Sequence, residues 1–147
     1  MAKTVKQISV FLENHSGQLA DLAKILSDNN IDMRTLSIAE AADFGIVRMI
    51  VNDTDKTMAV LKEAGYVSSI TPVIAVAVRD EPGGLYEILD IMRKGDINLE
   101  YAYAFIAKKQ VGAYLIFHVS DTDTEKAVEV LLNNNINLIT QKELDDI

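Results

Sequence analysis

The chain writes one pattern twice. Glu13-Asn14-His15-Ser16-Gly17-Gln18-Leu19 is answered 66 positions later by Arg79-Asp80-Glu81-Pro82-Gly83-Gly84-Leu85. Asn30-Ile31-Asp32-Met33 is answered at the same offset by Asp96-Ile97-Asn98-Leu99. In each half the first stretch joins an apolar strand-like run to an amphipathic helix-like run. Such repetition restricts the fold, because each copy has to be one supersecondary unit. The 147 residues then hold two modules, each of about 70 residues and near the lower limit for a self-sufficient core. The expected division is 1–70 and 71–147, with the modules packing together.

Periodicity orders the elements. Ile8, Val10 and Leu12 alternate with Gln7, Ser9 and Phe11, as in a strand. Leu19, Leu22, Ala23 and Leu26 follow at helical spacing and predict one buried helix face. Asp28-Asn29-Asn30 ends that helix. Residues 31–41 and 45–52 predict two strands around an Ala42-Asp43 turn. Asp53 or Thr54 can cap a helix over 54–64, and Gly65 can stop it. Residues 66–70 predict a fourth strand. The second half repeats the order: a strand over 73–78, a helix opened by Pro82-Gly83 with face Leu85, Ile88, Leu89 and Met92, and a hairpin over 97–105 and 111–119. A helix announced by the capping box Thr122-Asp123-Thr124-Glu125 follows, then a strand over 136–140. The linker at 68–72 is short enough to hold the modules in one arrangement.

The reading is α+β: two βαββαβ units of the ferredoxin-like kind, each an antiparallel sheet with helices on one face. The helix-facing sets are expected to be Val47, Met49, Val51 and Leu115, Phe117, Val119. The opposite face of the second unit then carries Tyr101, Tyr103, Phe105, Tyr114 and Ile116. The matched face of the first carries the milder Thr35, Ser37, Ala39 and Ile46. A bare aromatic face of that size predicts a protein partner or a second copy, unless a C-terminal segment covers it.

Composition excludes several classes of function. The net charge is −8 with both signs scattered, which argues against general binding to nucleic acid. The densest basic pair, Lys108-Lys109, is expected in a hairpin turn. No cysteine is present, so thiol nucleophiles, thiolate metal sites and disulfides are excluded. No apolar run approaches the roughly 20 residues that span a bilayer, and the N-terminus has no signal-peptide core. The expectation is a cytoplasmic protein without membrane or nucleic-acid partners.

No catalytic constellation emerges. The two histidines, His15 and His118, support no Ser-His-Asp set, and no nucleophile elbow or phosphate-binding glycine loop occurs. His15 reads as an exposed turn residue and His118 as a structural strand residue. Asp53/Asp55 and Asp121/Asp123 are carboxylate pairs, but at helix starts they are expected to satisfy free amides rather than bind metal. No metal site and no cofactor is expected.

The strand-to-helix turns are different. Gly17 and Gly83 let backbone approach closely, and the first helical amides suit a carboxylate. Asn14 or Asp80 can accept from an ammonium group or cap the helix. Asp32 and Asn98 supply a second polar contact. Donors for a carboxylate and acceptors for an ammonium together suit an α-amino acid, although glycine in a turn and Asn or Asp at a helix start also occur without any ligand.

These residues resemble the ACT domain, a small amino-acid-binding regulatory module. Glu13–Leu19 and Asp80–Leu85 resemble the family's (N/D)-x-P-G-x-L turn. Asn30–Met33 and Gly95–Leu99 resemble the G-(I/V)-N-(I/L) segment that opens its second strand. The resemblance covers about 5–70 and 72–143 and is to the stand-alone tandem members. Ser16 stands where the family usually has Pro, Asp32 where it has Asn, and Asp80 where many members have Asn. The resemblance implies units paired side by side into an eight-stranded sheet. It implies ligands at the seam, between the turn of one unit and second-strand residues of the other. The implied contact residues are Asn14, His15, Ser16, Gly17, Gln18, Leu19, Asp32 and Met33 in the first unit. In the second they are Asp80, Glu81, Pro82, Gly83, Gly84, Leu85, Asn98 and Leu99.

The leading functional expectation is a non-enzymatic amino-acid sensor that regulates a partner, either a partner enzyme or a homo-oligomer. A ligand-free interaction module using the aromatic face is the alternative. An acylphosphatase-like hydrolase needs an arginine-bearing phosphate cradle in the first turn, which is absent. The polar differences between the copies, His15/Glu81, Ser16/Pro82 and Asp32/Asn98, predict paired but unequal sites.

Overall fold

A computed structural model describes residues 3–106 and 113–146. Lys108-Lys109 and its expected turn lie outside the described residues. By backbone proximity the chain divides into an N-terminal unit, Lys6–Thr71, and a C-terminal unit built on Pro72–Asp145.

The N-terminal unit contains β1 (Val5–Glu13), α1 (Gln18–Asp28), β2 (Met33–Glu40), β3 (Phe44–Val51) and α2 (Thr54–Glu63), and ends in the first residues of β4 (Ser68–Val78). Its strands run in the order β2-β3-β1-β4. β3 is antiparallel to both neighbours, with Val10 opposite Val47 and Ile38 opposite Val47 on its other side. The first part of β4 lies beside β1, where the Phe11 amide donates to the Val67 carbonyl at 2.9 Å. Alternation does the sorting: Ile8, Val10 and Leu12 of β1 join Val47, Met49 and Val51 of β3 in the core, under Leu22, Leu26 and Leu61 of the helices. Each such side chain contributes roughly 1.5–3 kcal/mol on burial. The helix-facing set expected here is therefore the observed one.

The C-terminal unit repeats the plan with the rest of β4, α3 (Gly84–Lys94), β5 (Tyr101–Ile106), β6 (Ala113–His118), α4 (Thr124–Asn133) and a short α5 (Gln141–Asp145). Val76 faces Leu115 across β4–β6, and Ala104 faces Leu115 across β5–β6. Leu115, Phe117 and Val119 pack with Ile74, Val76, Ile88, Met92, Ala127 and Leu131, again as the alternation predicted.

Four expectations are corrected. The predicted strands at 66–70 and 73–78 are one strand, β4, which runs through Pro72; proline's fixed φ is compatible with extended backbone. The predicted strand at 136–140 is reduced to a single bridge, Val76–Leu138, held by Ala77 N–H to Asn137 O at 3.0 Å and Ile139 N–H to Ala75 O at 2.8 Å. The capping box at Thr122–Glu125 does not form. Residues Asp121–Asp123 make a 3₁₀ turn instead, and no side chain caps α4. Ser120 anchors that turn, its carbonyl accepting from Asp123 N–H at 2.9 Å and Thr124 Oγ1 at 3.2 Å. Asp53, in contrast, does cap α2, accepting from Lys56 N–H at 3.1 Å.

The fourth correction concerns the helix faces. Leu22, Leu26, Ile88 and Met92 are buried, whereas Leu19, Ala23, Leu85 and Leu89 are exposed. The buried stripe is turned toward half-buried Ile25 on α1 and toward Gly84 and Ile91 on α3. A helix offers only about a 100° stripe to its sheet, so shifting its centre by one residue exposes one side of the predicted set.

Candidate functional site

Both turns place a glycine in the left-handed region, Gly17 at φ 90° and Gly83 at φ 93°, directly before α1 and α3. A Cβ at either glycine would meet nothing within 4 Å. Their need for glycine is therefore conformational, and the close approach expected of them occurs elsewhere. It occurs at Gly84, where a Cβ would stand 2.1 Å from the Arg79 carbonyl oxygen. In the first turn Gln18 occupies the matching place. Neither helix has a side-chain cap. The Gly84 N–H donates to the Glu81 carbonyl at 3.0 Å and the Gln18 N–H to that of His15 at 3.4 Å, so donor capacity rests with the first-turn amides after them.

The two turns carry the same bridge with its polarity reversed. In the first, His15 Nε2 lies 3.0 Å from Glu13 Oε2. In the second, Arg79 pairs with Glu81 and also with Glu87, at 2.9 Å from Nη2 and 3.2 Å from Nε. Asn14 does not cap α1. Its backbone amide donates to Asp43 O at 3.0 Å and its Nδ2 to Ala42 O at 3.5 Å, which ties it to the β2–β3 turn. Ser16, Gly17 and Leu19 are exposed and Gln18 is half-buried.

The second-strand positions have different partners in the two units. Asp32 N–H donates to Asn52 Oδ1 at 3.0 Å, and its carboxylate pairs with Arg34, so an arginine already occupies the acceptor. Met33 opens β2. Asn98 and Leu99 lie ahead of β5 rather than on it. They line an open cleft of about 520 Å³ with Arg93, Asp96 and Asp123.

A separate cleft of about 440 Å³ adjoins the second turn. Val78, Pro82, Leu85, Ala104, Ala113 and Leu115 make its apolar wall, and Arg79, Asp80 and Glu81 its polar rim. That volume lies within the roughly 300–1,000 Å³ common for small-molecule pockets. The structure thus joins Asp80–Pro82 and Leu85 to the β5–β6 hairpin of their own unit. It keeps them in a different cleft from Asn98 and Leu99. Sequence spacing found the turn but missed Ala104, Ala113 and Leu115, because only strand register brings them to it.

His118 is held on β6, with Nδ1 2.6 Å from Glu100 Oε1 and its ring stacked on Tyr101 at 5.2 Å between centroids. The aromatic face exists in register, with Tyr103 opposite Ile116 and Phe105 opposite Tyr114, but it is not bare. Tyr114 and Ile116 are buried, and Tyr101, Tyr103 and Phe105 are half-buried. Burial, with the nearby Glu143 carboxylate of α5 second, raises the Tyr114 phenol above its usual range. The exposed aromatic pair is instead Phe11 and Phe44, stacked at 4.8 Å on the open face of the N-terminal unit. Among the described residues no group of acidic or histidine side chains is arranged to hold a metal ion, and no helix is long and apolar enough to cross a membrane.

The doubled βαββαβ plan with uncapped, glycine-entered helices defines a ferredoxin-like pair. Residues 3–147 match the family described as an ACT domain pair, and the chain belongs to that family. A solved structure of protein BT0572 from Bacteroides thetaiotaomicron is 35% identical, covers 99% of both chains and superposes with a TM-score of 0.89. The ligand-free regulatory subunit of aspartate kinase from Thermus thermophilus shares the fold at 10% identity, with a TM-score of 0.61 over 89% of this chain and 92% of that one. The corresponding subunit from Thermus flavus does so at 10% identity and a TM-score of 0.58, over 90% and 93%. No functionally curated protein matches the sequence.

Proposed function

We propose that the chain is a non-enzymatic sensor that binds an amino acid at the β4–α3 turn and regulates a partner protein. One observation carries this reading: the cleft beside that turn meets the uncapped start of α3 and has Asp80 on its rim. An α-ammonium group has the Asp80 carboxylate to pair with. An α-carboxylate has the first-turn amides that follow Gly84, whose own N–H is held by the Glu81 carbonyl; amides there carry partial positive charge. Family membership supports a regulatory role, and the fold shared with regulatory subunits of aspartate kinase supports an enzyme as the partner.

Binding that favours one arrangement of the protein stabilises it by mass action, by about 2.7 kcal/mol at a hundredfold excess over Kd. That energy is the route from occupancy to regulation. A thermal-shift screen against the twenty amino acids at millimolar concentration tests the reading. The expected result is a rise in Tm for one amino acid or a related group. No rise for any of them sinks the proposal.

A further inference from the structure

The two units carry different side chains beside their turns, and strand register locates the difference. Leu12 faces Gly45 and Ile38 faces Val47 in the N-terminal unit. The corresponding pairs in the C-terminal unit are Val78 with Ala113 and Ala104 with Leu115. Ile38 and Ala104 therefore hold the same place. In the N-terminal unit Ile38 lies over Gly45, its Cγ2 3.7 Å from where a Gly45 Cβ would be. In the C-terminal unit the side chain at that place ends at Cβ, and the 440 Å³ cleft opens beside it.

We infer that Ala104 is the residue that admits a ligand side chain, and that the site takes an α-amino acid with an aliphatic side chain. This rests on the sensor reading and adds to it the class of ligand and the reason the second turn is the one that binds. The wall around Ala104 is apolar, so transfer of an aliphatic group from water to it is favourable. Among the described residues the rim has one cation, Arg79, which already bridges Glu81 and Glu87. With Asp80 and Glu81 beside it, the described part of the rim carries more negative than positive charge, which disfavours an acidic side chain. A cationic side chain loses hydration against Leu85 and Leu115 without gaining a buried partner.

Titration calorimetry of the full chain with L-leucine, L-valine, L-lysine and L-aspartate tests this, comparing wild type with Ala104→Ile and Ala104→Ser. Ala104 is an exposed strand position where isoleucine is well accommodated, and unchanged melting without ligand verifies the fold. The expected result is binding of leucine or valine by wild type and Ala104→Ser, weakened at least about tenfold in Ala104→Ile by overpacking. Methyl resonances of Leu115 and Val78 should shift on adding leucine to wild type. Equal leucine binding by Ala104→Ile and wild type, unshifted Leu115 and Val78 methyls, or preference for lysine or aspartate overturns the inference while leaving the sensor reading standing. Failure of all twenty amino acids to bind wild type removes the sensor reading itself, and this inference with it.

Discussion

Gly84 lies against the carbonyl oxygen of Arg79 so closely that a Cβ on Gly84 would stand 2.1 Å from it. Its neighbour Gly83 has open space around it but a φ of 93°. The two glycines are thus needed for different reasons, and their substitution has different costs. Gly83→Ala pays only left-handed strain, about 1–2 kcal/mol. Gly84→Ala drives a methyl group into rigid backbone where α3 meets β4, and about 3 kcal/mol is expected. Urea unfolding of the two variants measures both. Equal losses would contradict this division of roles.

Asp90 is a half-buried acid on α3, its side chain 18% exposed and 3.0 Å from Lys94 Nζ. The hydrogen bond from Lys94 lowers its pKa; burial opposes this, and Arg93 adds to the lowering. A depressed folded-state value stabilises the fold above the unfolded pKa of about 4, and that contribution is lost as pH falls through the folded value. Wild type should therefore lose stability more steeply than Asp90→Asn as the pH falls below about 4. Parallel pH profiles of the two proteins, by urea midpoint, would show that Asp90 is not linked to folding.

How much of this was legible in the sequence depends on the range of the interaction. Val47, Met49 and Val51 could be assigned to the core from alternation alone, because a strand's facing is a local property. Asp53 as a cap and Gly65 as a stop are equally local. The exposure of Leu85 and Leu89 was hidden, since the rotation of a helix about its axis is set by how it packs on its sheet; α1, with Gln18 in place of Gly84, is turned the same way and exposes Leu19 and Ala23. Tyr114 and Ile116 read as a bare face, yet both are buried, because alternation tells which face a strand residue takes and not whether tertiary packing covers that face. At the site, the turn residues Asp80–Leu85 were readable from the repeat. Ala104 was not, because its importance appears only when Ile38 is found in the same register position of the other unit.

Two tyrosines should titrate late. Burial, with Glu143 second, raises the pKa of Tyr114. Burial, with Asp21 second, raises that of Tyr66. A raised value means that the neutral phenol stabilises the fold below the unfolded pKa of about 10, and that this contribution is lost as pH climbs through the folded value. Ultraviolet titration should show Tyr66 and Tyr114 ionising above the ordinary phenol value of about 10. Tyr114→Phe should remove one late transition, and Glu143→Gln should bring it earlier without abolishing it. A Tyr114 transition at or below the ordinary phenol value would contradict the burial argument.

The four principal helices stop in the same way. Asn30, Gly65, Asp96 and Asn135 all adopt positive φ, between 56° and 86°. The residue after each donates its amide back to the helix: Ile31 to Leu26 and Tyr66 to Leu61 at 2.9 Å, Ile97 to Met92 at 2.9 Å, and Ile136 to Leu131 at 3.0 Å. This is the left-handed stop in which an amide beyond the helix satisfies one of its last carbonyls. Glycine fits that conformation without strain, and asparagine tolerates it at some cost. Asn135→Gly should therefore stabilise the protein by about 0.5 kcal/mol, and Gly65→Asn should destabilise it by a similar amount. Both changes are at exposed positions, so packing does not confuse the comparison. Urea midpoints moving in the same direction for the two variants would mean that backbone conformation does not set the choice of residue at these stops.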